Sequence, residues 1–217
     1  MNTVKQLETS LMQRYPVLAV VKADLCRAYD LVCECHNNGG KILVCGNGGS
    51  AADSEHIVGE LMKGFLLKRG LSSEDSALFA RQENAEYLAE KLQGAIPAVS
   101  LTSQTGLLTA FSNDVAADMA FSQQVWAYAR SSPDVLIALS TSGNSSSVVN
   151  AVRTANALGR KSISITGIEE SSLSREATVC IRIPETETYK VQELTLPVYH
   201  TLCAMAEATF FLSGDIQ

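Results

Sequence analysis

The chain has 217 residues, 46% hydrophobic and 18% charged, which allows one sizeable core and excludes wholesale disorder. Its net charge of −6 and pI near 5.1 argue against an electrostatic nucleic-acid binder. Lys5, Glu8, Arg14, Lys22 and Asp24 interrupt the N-terminal stretch, so it does not read as a signal peptide. No run reaches the ~18 apolar residues of a membrane span, and a cytoplasmic protein is expected.

Residues 4–36 read as helical, broken near Pro16, with Leu18, Val21, Leu25, Ala28, Leu31, Val32 and Cys35 near the helical period. "NNGG" at 37–40 stops this helix, and His36 beside it is explained by a favourable interaction with the helix dipole. "KILVCG" follows as a short buried strand. A helix is expected over 51–65. The polar segment 66–84 reads as a loop leading into a surface helix at about 77–93. Further strands are "IPAVSL" (96–101), "DVLIALS" (134–140), "KSISIT" (161–166) and "TVCIRI" (178–183). Helical patterns cover about 115–130, 145–158 and 190–213.

Short apolar strands alternating with helices indicate a parallel sheet covered on both faces. The expected fold is a doubly wound, flavodoxin-like α/β sandwich with a five-stranded parallel sheet and N-terminal helices. Residues 1–217 read as a single domain. Its helical segment 1–38 covers the sheet or pairs with another subunit. The cysteines (Cys26, Cys33, Cys35, Cys45, Cys180 and Cys203) form no CxxC or zinc-ribbon spacing and read as buried reduced thiols.

Two strand ends carry unusual polar loops: "CGNGGSAAD" after the first strand and "LSTSGNSSS" after the third. In open parallel sheets, ligands bind beyond the carboxyl ends of the strands. Each loop runs into a helix, whose first N–H groups and partial positive charge suit an anion. Ser140, Thr141, Ser142 and Ser145 add hydroxyl donors. The first loop is neither GxGxxG nor a Walker A sequence. Either loop by itself is equally well explained as an N-cap and tight turn. Two at equivalent positions point to phosphate or phosphosugar binding.

His56 and Glu60 stand four apart on the helix leaving the first loop, so they share a face. They suit one metal ion, or a base with its orienting partner, or simply a solvated polar pair. The nearly apolar last helix carries Gln192 and His200, eight residues apart on neighbouring lines of one side. Buried polar groups need partners. For His200 considered alone, a satisfied core histidine is the simpler account.

Together these residues resemble the SIS (sugar isomerase) domain family, and within it the phosphoheptose isomerases. The resemblance covers nearly the whole chain through "GNGGSAAD…H…E", "SND" at 112–114, "STSGNS" at 140–145 and "QE…H" at 192–200. It implies zinc held by His56, Glu60, Gln192 and His200, with Glu60 and His200 as the catalytic acid/base pair. It implies substrate binding by Asn47, Gly48, Gly49, Ser50, Asn113, Asp114 and Gln192, with Ser140, Thr141, Ser142 and Ser145 on the phosphate. It further implies a homotetramer with active sites shared between subunits. The chain departs from the family pattern at Gly64, where an arginine is usual and Lys63 precedes it. It departs again at Tyr189, which replaces an acid, and in a longer 66–84 segment.

The implied reaction is aldose–ketose isomerisation of a phosphosugar, sedoheptulose 7-phosphate to a heptose 7-phosphate, through an enediol. Competing readings are a phosphosugar-sensing module, a partner-binding scaffold of the replication-initiator-associating type, and an isomerase or lyase for another phosphosugar. Retention of His56, Glu60, Gln192 and His200 speaks against the first two.

Overall fold

The computed structural model describes residues 3–212. Five strands, β1 (Ile42–Gly46), β2 (Ala98–Ser100), β3 (Val135–Leu139), β4 (Lys161–Thr166) and β5 (Val179–Arg182), form one parallel sheet in the order β2-β1-β3-β4-β5. The register sets Ile42 beside both Ala98 and Val135, and Ile163 beside Val179. This is the flavodoxin-like order expected from the sequence.

The helices are α1 (Val4–Arg14), α2 (Lys22–Asn37), α3 (Gly49–Met62), α4 (Ser73–Ala77), α5 (Ala85–Lys91), α6 (Thr105–Phe111), α7 (Ala120–Ala129), α8 (Ser146–Ala157), α9 (Ser172–Glu176) and α10 (Thr188–Phe211). β1 and β3 are apolar and buried at every position, yet their side chains still alternate between faces. Ile42, Val44, Val135 and Ile137 join Leu25, Val32, Ile57, Leu61, Val198 and Leu202 in one core, against α2, α3 and α10. Leu43, Cys45, Leu136 and Ala138 join Phe121, Val125, Val148 and Val152 in the other, against α7 and α8. Truncating such a residue, as in Ile137→Ala, costs about 2–5 kcal/mol.

The chain leaves β1 towards one face and β3 towards the other, so the loops after these adjacent strands border a crevice at the carboxyl edge of the sheet. α3 and α10 share the first face and run in the same direction. Gln192 lies against Gly49, Tyr199 meets Asp53, and Glu207 meets Phe65 beyond the end of α3.

Several local expectations change. Pro16 does break the N-terminal helix, and a 3₁₀ turn (Pro16–Val21) joins α1 to α2. The helix expected at about 77–93 is confined to α5, which starts after Asn84, itself in a left-handed conformation (φ 59°). The short α4 falls instead in the segment expected as a loop, where no continuous apolar face extends it. The helix expected from 115 starts earlier, as α6 at Thr105, and reaches α7 through a π turn (Ser112–Ala116) and a 3₁₀ turn (Ala117–Met119). α9, held by a reciprocal Ser171–Ser174 capping box, is too short to show a period. The last helix ends at Phe211; residue 213, included in its expected span, lies outside the described residues.

His36 lies in the last turn of α2, as expected. Its ring packs on Phe210 at 4.3 Å, and burial holds its pKa below the ordinary value. All six cysteines are free: Cys35, Cys45 and Cys203 are buried, the others half-buried. Burial pushes the Cys45 and Cys203 thiols up to about 12, which makes them inert small hydrophobes at neutral pH.

Candidate active site

The two polar loops meet. Asn47 donates its amide to Ser145 Oγ (2.8 Å) and Ser147 Oγ (2.9 Å), joining the turn after β1 to the turn after β3. Ser50 N–H bonds Asn47 C=O and Ala51 N–H bonds Gly48 C=O as α3 begins. Gly49 lets Gln192 approach closely: a Cβ there would stand 2.7 Å from Gln192 Nε2, so the glutamine end would have to shift. Gln192, half-buried on α10, therefore rests at the mouth of this loop.

The serine-rich loop wraps back on itself. Ser142 Oγ lies 3.5 Å from Ser140 Oγ and accepts Asn144 N–H. Thr141 and Gly143 carbonyls accept the N–H groups of Gly167 and Leu173. Gly143 has φ +64°, and a Cβ there would strike Ser171 Oγ at 2.1 Å, so only glycine fits. These bonds hold the hydroxyls of Ser140, Ser142 and Ser145 around the start of α8, where unpaired N–H groups favour an anion.

The second cluster lies further along the helix pair. Asp53, His56 and Glu60 recur at i, i+3 and i+7, forming a stripe on α3 that faces α10. His56 Nε2 stands 3.1 Å from Glu60 Oε1 and 3.3 Å from His200 Nε2. Lys63 Nζ approaches Glu60 Oε2 at 3.3 Å, while Glu60 itself is only 12% exposed. One donor atom from each of His56, Glu60 and His200 lies within 4.8 Å of the others. Two ligands at about 2.0–2.1 Å from a tetrahedral ion stand about 3.3 Å apart, close to the His56–Glu60 and His56–His200 distances, and the donor atoms match zinc's N/O preferences. With a lone pair on His56 Nε2, that nitrogen and Glu60 Oε1 are two acceptors in contact, which only a shared proton or cation stabilises. Burial and the neighbouring His56 hold the His200 pKa below the ordinary value, favouring the neutral ring that a metal needs.

Buried groups brace this cluster. Tyr199 Oη bridges Asp53 Oδ1 (3.1 Å) and His56 Nδ1 (3.0 Å). Burial pushes the Tyr199 phenol well above its ordinary pKa, so it stays protonated, and burial also raises the Asp53 carboxyl. Arg69, fully buried, donates to the carbonyls of Leu61 (2.6 Å) and Glu60 (2.9 Å) and to Glu207 Oε1 (2.7 Å). Glu207 also accepts the N–H groups of Phe65 and Leu66. Arg69 thus binds two of the orphan carbonyls at the end of α3, and Glu207 ties the chain beyond it to α10. A cleft of about 210 Å³ opens beside His200, lined by Leu11, Arg14 and Tyr15 near the N-terminus and by Phe65 and Pro197.

Of the expected residues, the structure brings Asn47 to Ser145, and Glu60 to His56 and His200. It sets Gln192 two helical turns before His200, against Gly49. Asn113 and Asp114 are exposed on the π turn and bond each other; among the described residues they make no side-chain hydrogen bond to either cluster. Sequence reasoning missed Asp53, Tyr199, Arg69, Glu207 and Ser147. Glu207 had a readable signal, an acid inside the apolar run "CAMAEATFF". Arg69 had none, since it sits in a polar segment.

Comparison with known proteins is consistent with this arrangement. SIS-domain models match residues 83–206 and 15–99. The chain is 38% identical over 169 residues to a phosphoheptose isomerase of Rhodospirillum rubrum, covering 78% of this chain and 77% of that one. It is 31% identical to one of Geobacter sp. (strain M21), covering 98% and 100%. A solved phosphoheptose isomerase from Neisseria gonorrhoeae superposes with TM-score 0.69 at 30% identity, over 92% of this chain and 93% of that one.

Proposed function

Because the chain belongs to the SIS-domain family, among its phosphoheptose isomerases, we infer that Glu60 and His200 carry out its proton transfers. The protein is an aldose–ketose isomerase acting on sedoheptulose 7-phosphate. We read residues 1–217 as one SIS domain.

The observation that carries the catalytic reading is the convergence of Glu60, His56 and His200 at the end of a crevice that begins with two hydroxyl-rich loops. The phosphate is held by Ser140, Thr141, Ser142 and Ser145 and the first N–H groups of α8. Asn47, Gly48, Gly49, Ser50 and Gln192 border the sugar, and Asn113 and Asp114 are assigned to it by family position. Glu60 has two distinct oxygens: Oε1 faces His56 and Oε2 faces Lys63. Oε2 takes the proton from the carbon next to the carbonyl and returns it to the neighbouring carbon. The His200 imidazole moves a proton between the two sugar oxygens. His56, Glu60 and His200 would hold zinc before substrate arrives, with Gln192 as the fourth family position, and His200 would have to leave the ion on substrate binding to be free for proton transfer. A bound zinc ion would supply polarisation of those oxygens.

The finer readings are a homotetramer with shared active sites and a cytoplasmic location. The exposed apolar residues Val17 and Val20 between α1 and α2 support an interface on the 1–38 segment. Among the described residues no helix is long and apolar enough to cross a membrane.

NMR of sedoheptulose 7-phosphate with the protein in D₂O tests the reaction. Aldose carrying deuterium at C2, lost on chelation and restored by zinc, is expected. Absence of both exchange and product from folded protein would reject the assignment.

A further inference from the structure

We propose that Tyr199 and Asp53 act as positioning residues for His56: they fix Nδ1 as its protonated nitrogen and leave Nε2 as the atom offered to a metal. The inference rests on the metal-site reading above. Tyr199 is 1% exposed, and its hydroxyl lies between Asp53 Oδ1 at 3.1 Å and His56 Nδ1 at 3.0 Å. A phenol has one proton to give, and an ionised carboxylate can only accept. The proton therefore points to Asp53; the reverse orientation would set two lone-pair oxygens against each other. Tyr199 Oη then presents a lone pair to His56, and Nδ1 must donate. In the neutral ring this leaves the Nε2 lone pair facing Glu60 and His200.

Packing holds the arrangement in place. The His56 and Tyr199 rings meet nearly edge to face at 5.5 Å, and Tyr199 meets His200 likewise at 5.0 Å. Asp53 is half-buried, and among the described residues its side chain takes no hydrogen bond besides that of Tyr199. A carboxylate removed from water for this one contact is accounted for by its effect on Tyr199 and, through it, on His56. Carboxylate-to-histidine chains of this kind orient metal ligands, and their loss weakens metal affinity about 10–100-fold. Here a tyrosine is interposed, and it comes from the residue next to His200, so one turn of α10 both offers a ligand and aims another.

The test reads the ring directly. In ¹⁵N-histidine-labelled, chelator-treated protein, long-range ¹⁵N–¹H correlation spectra assign the protonated nitrogen of His56. Wild type should show a protonated Nδ1, whether or not Nε2 also shares a proton with Glu60 in the metal-free state. Tyr199→Phe, which keeps the buried ring, should shift His56 towards Nε2–H and bind zinc about 10–100-fold more weakly in competition with a chromophoric chelator. Asp53→Ala leaves Tyr199 in place but frees its proton for Nδ1, and should give the same tautomer shift even if Tyr199→Phe fails to fold. A wild-type ring with no proton on Nδ1, or zinc binding by folded Tyr199→Phe as tight as wild type, overturns the proposal. If wild type binds no zinc that His56→Ala weakens, the metal reading fails instead, and the tautomer spectra alone decide the roles of Tyr199 and Asp53.

Discussion

The helix pair α3–α10 and the loop 140–147 both converge on the same crevice, yet they are built in opposite ways. On α3, the chemical residues are held by buried groups: His56 by Tyr199, and the helix end that carries Glu60 by Arg69. On the loop, hydroxyls and backbone N–H groups are held by turn geometry and by each other. Proton transfer needs side chains fixed to a fraction of an ångström, whereas anion binding needs only several donors pointing the same way. The difference predicts that single changes on the helices abolish chemistry, while single changes on the loop weaken binding in proportion.

The largest effect is expected at Glu60. Glu60→Gln keeps the shape but removes the base, and turnover should fall about 10²–10⁴-fold with phosphosugar binding retained. Steady-state kinetics and a binding isotherm separate the two, and unchanged turnover would end the role assigned to Glu60. Next comes the brace. Arg69→Ala leaves Glu207 charged and buried without its partner, and should cost about 3–5 kcal/mol in urea unfolding. A loss well below that would mean the pair does not hold the two helices together.

The loop should respond more gently. Ser142→Ala removes one hydroxyl donor to a charged ligand, worth about 1.5–3 kcal/mol, and should raise KM with kcat little changed. A matching fall in kcat would blur the division between the two regions. The smallest effect concerns His36, remote from both. Its folded pKa lies below its ordinary value near 6.5, so the unfolded chain takes up the proton first. Stability should therefore be full above that value, decline as pH falls through about 6.5, and level off below the folded pKa. In His36→Gln, the slope of stability between pH 7 and 5 should be shallower.

Much of the fold was legible because local periodicity suffices for it. Fully apolar runs of strand length, separated by amphipathic helices, leave few alternatives to a doubly wound parallel sheet. The failures lie where no apolar face existed to enforce a period, as in α4 and α5, or where elements were too short, as in α9. The loops were also readable, because glycines and hydroxyls at a strand end have a local reason to be there.

Among the site residues, His56 and Glu60 could be paired from spacing alone, since one helix sets their distance. His200 could be singled out only as a polar residue on a buried helix; its contact with His56 spans 144 positions. Composition, strand runs and the two polar loops therefore determined the class of fold and the hydroxyl- and glycine-rich make-up of the crevice's loop end. Which donor atoms meet, which nitrogen of His56 faces inward, and that Arg69 and Glu207 brace the helix carrying Glu60 were decided by the packing of α3 beside α10. Sequence records neighbours along the chain, whereas the metal-type cluster is made of neighbours across it.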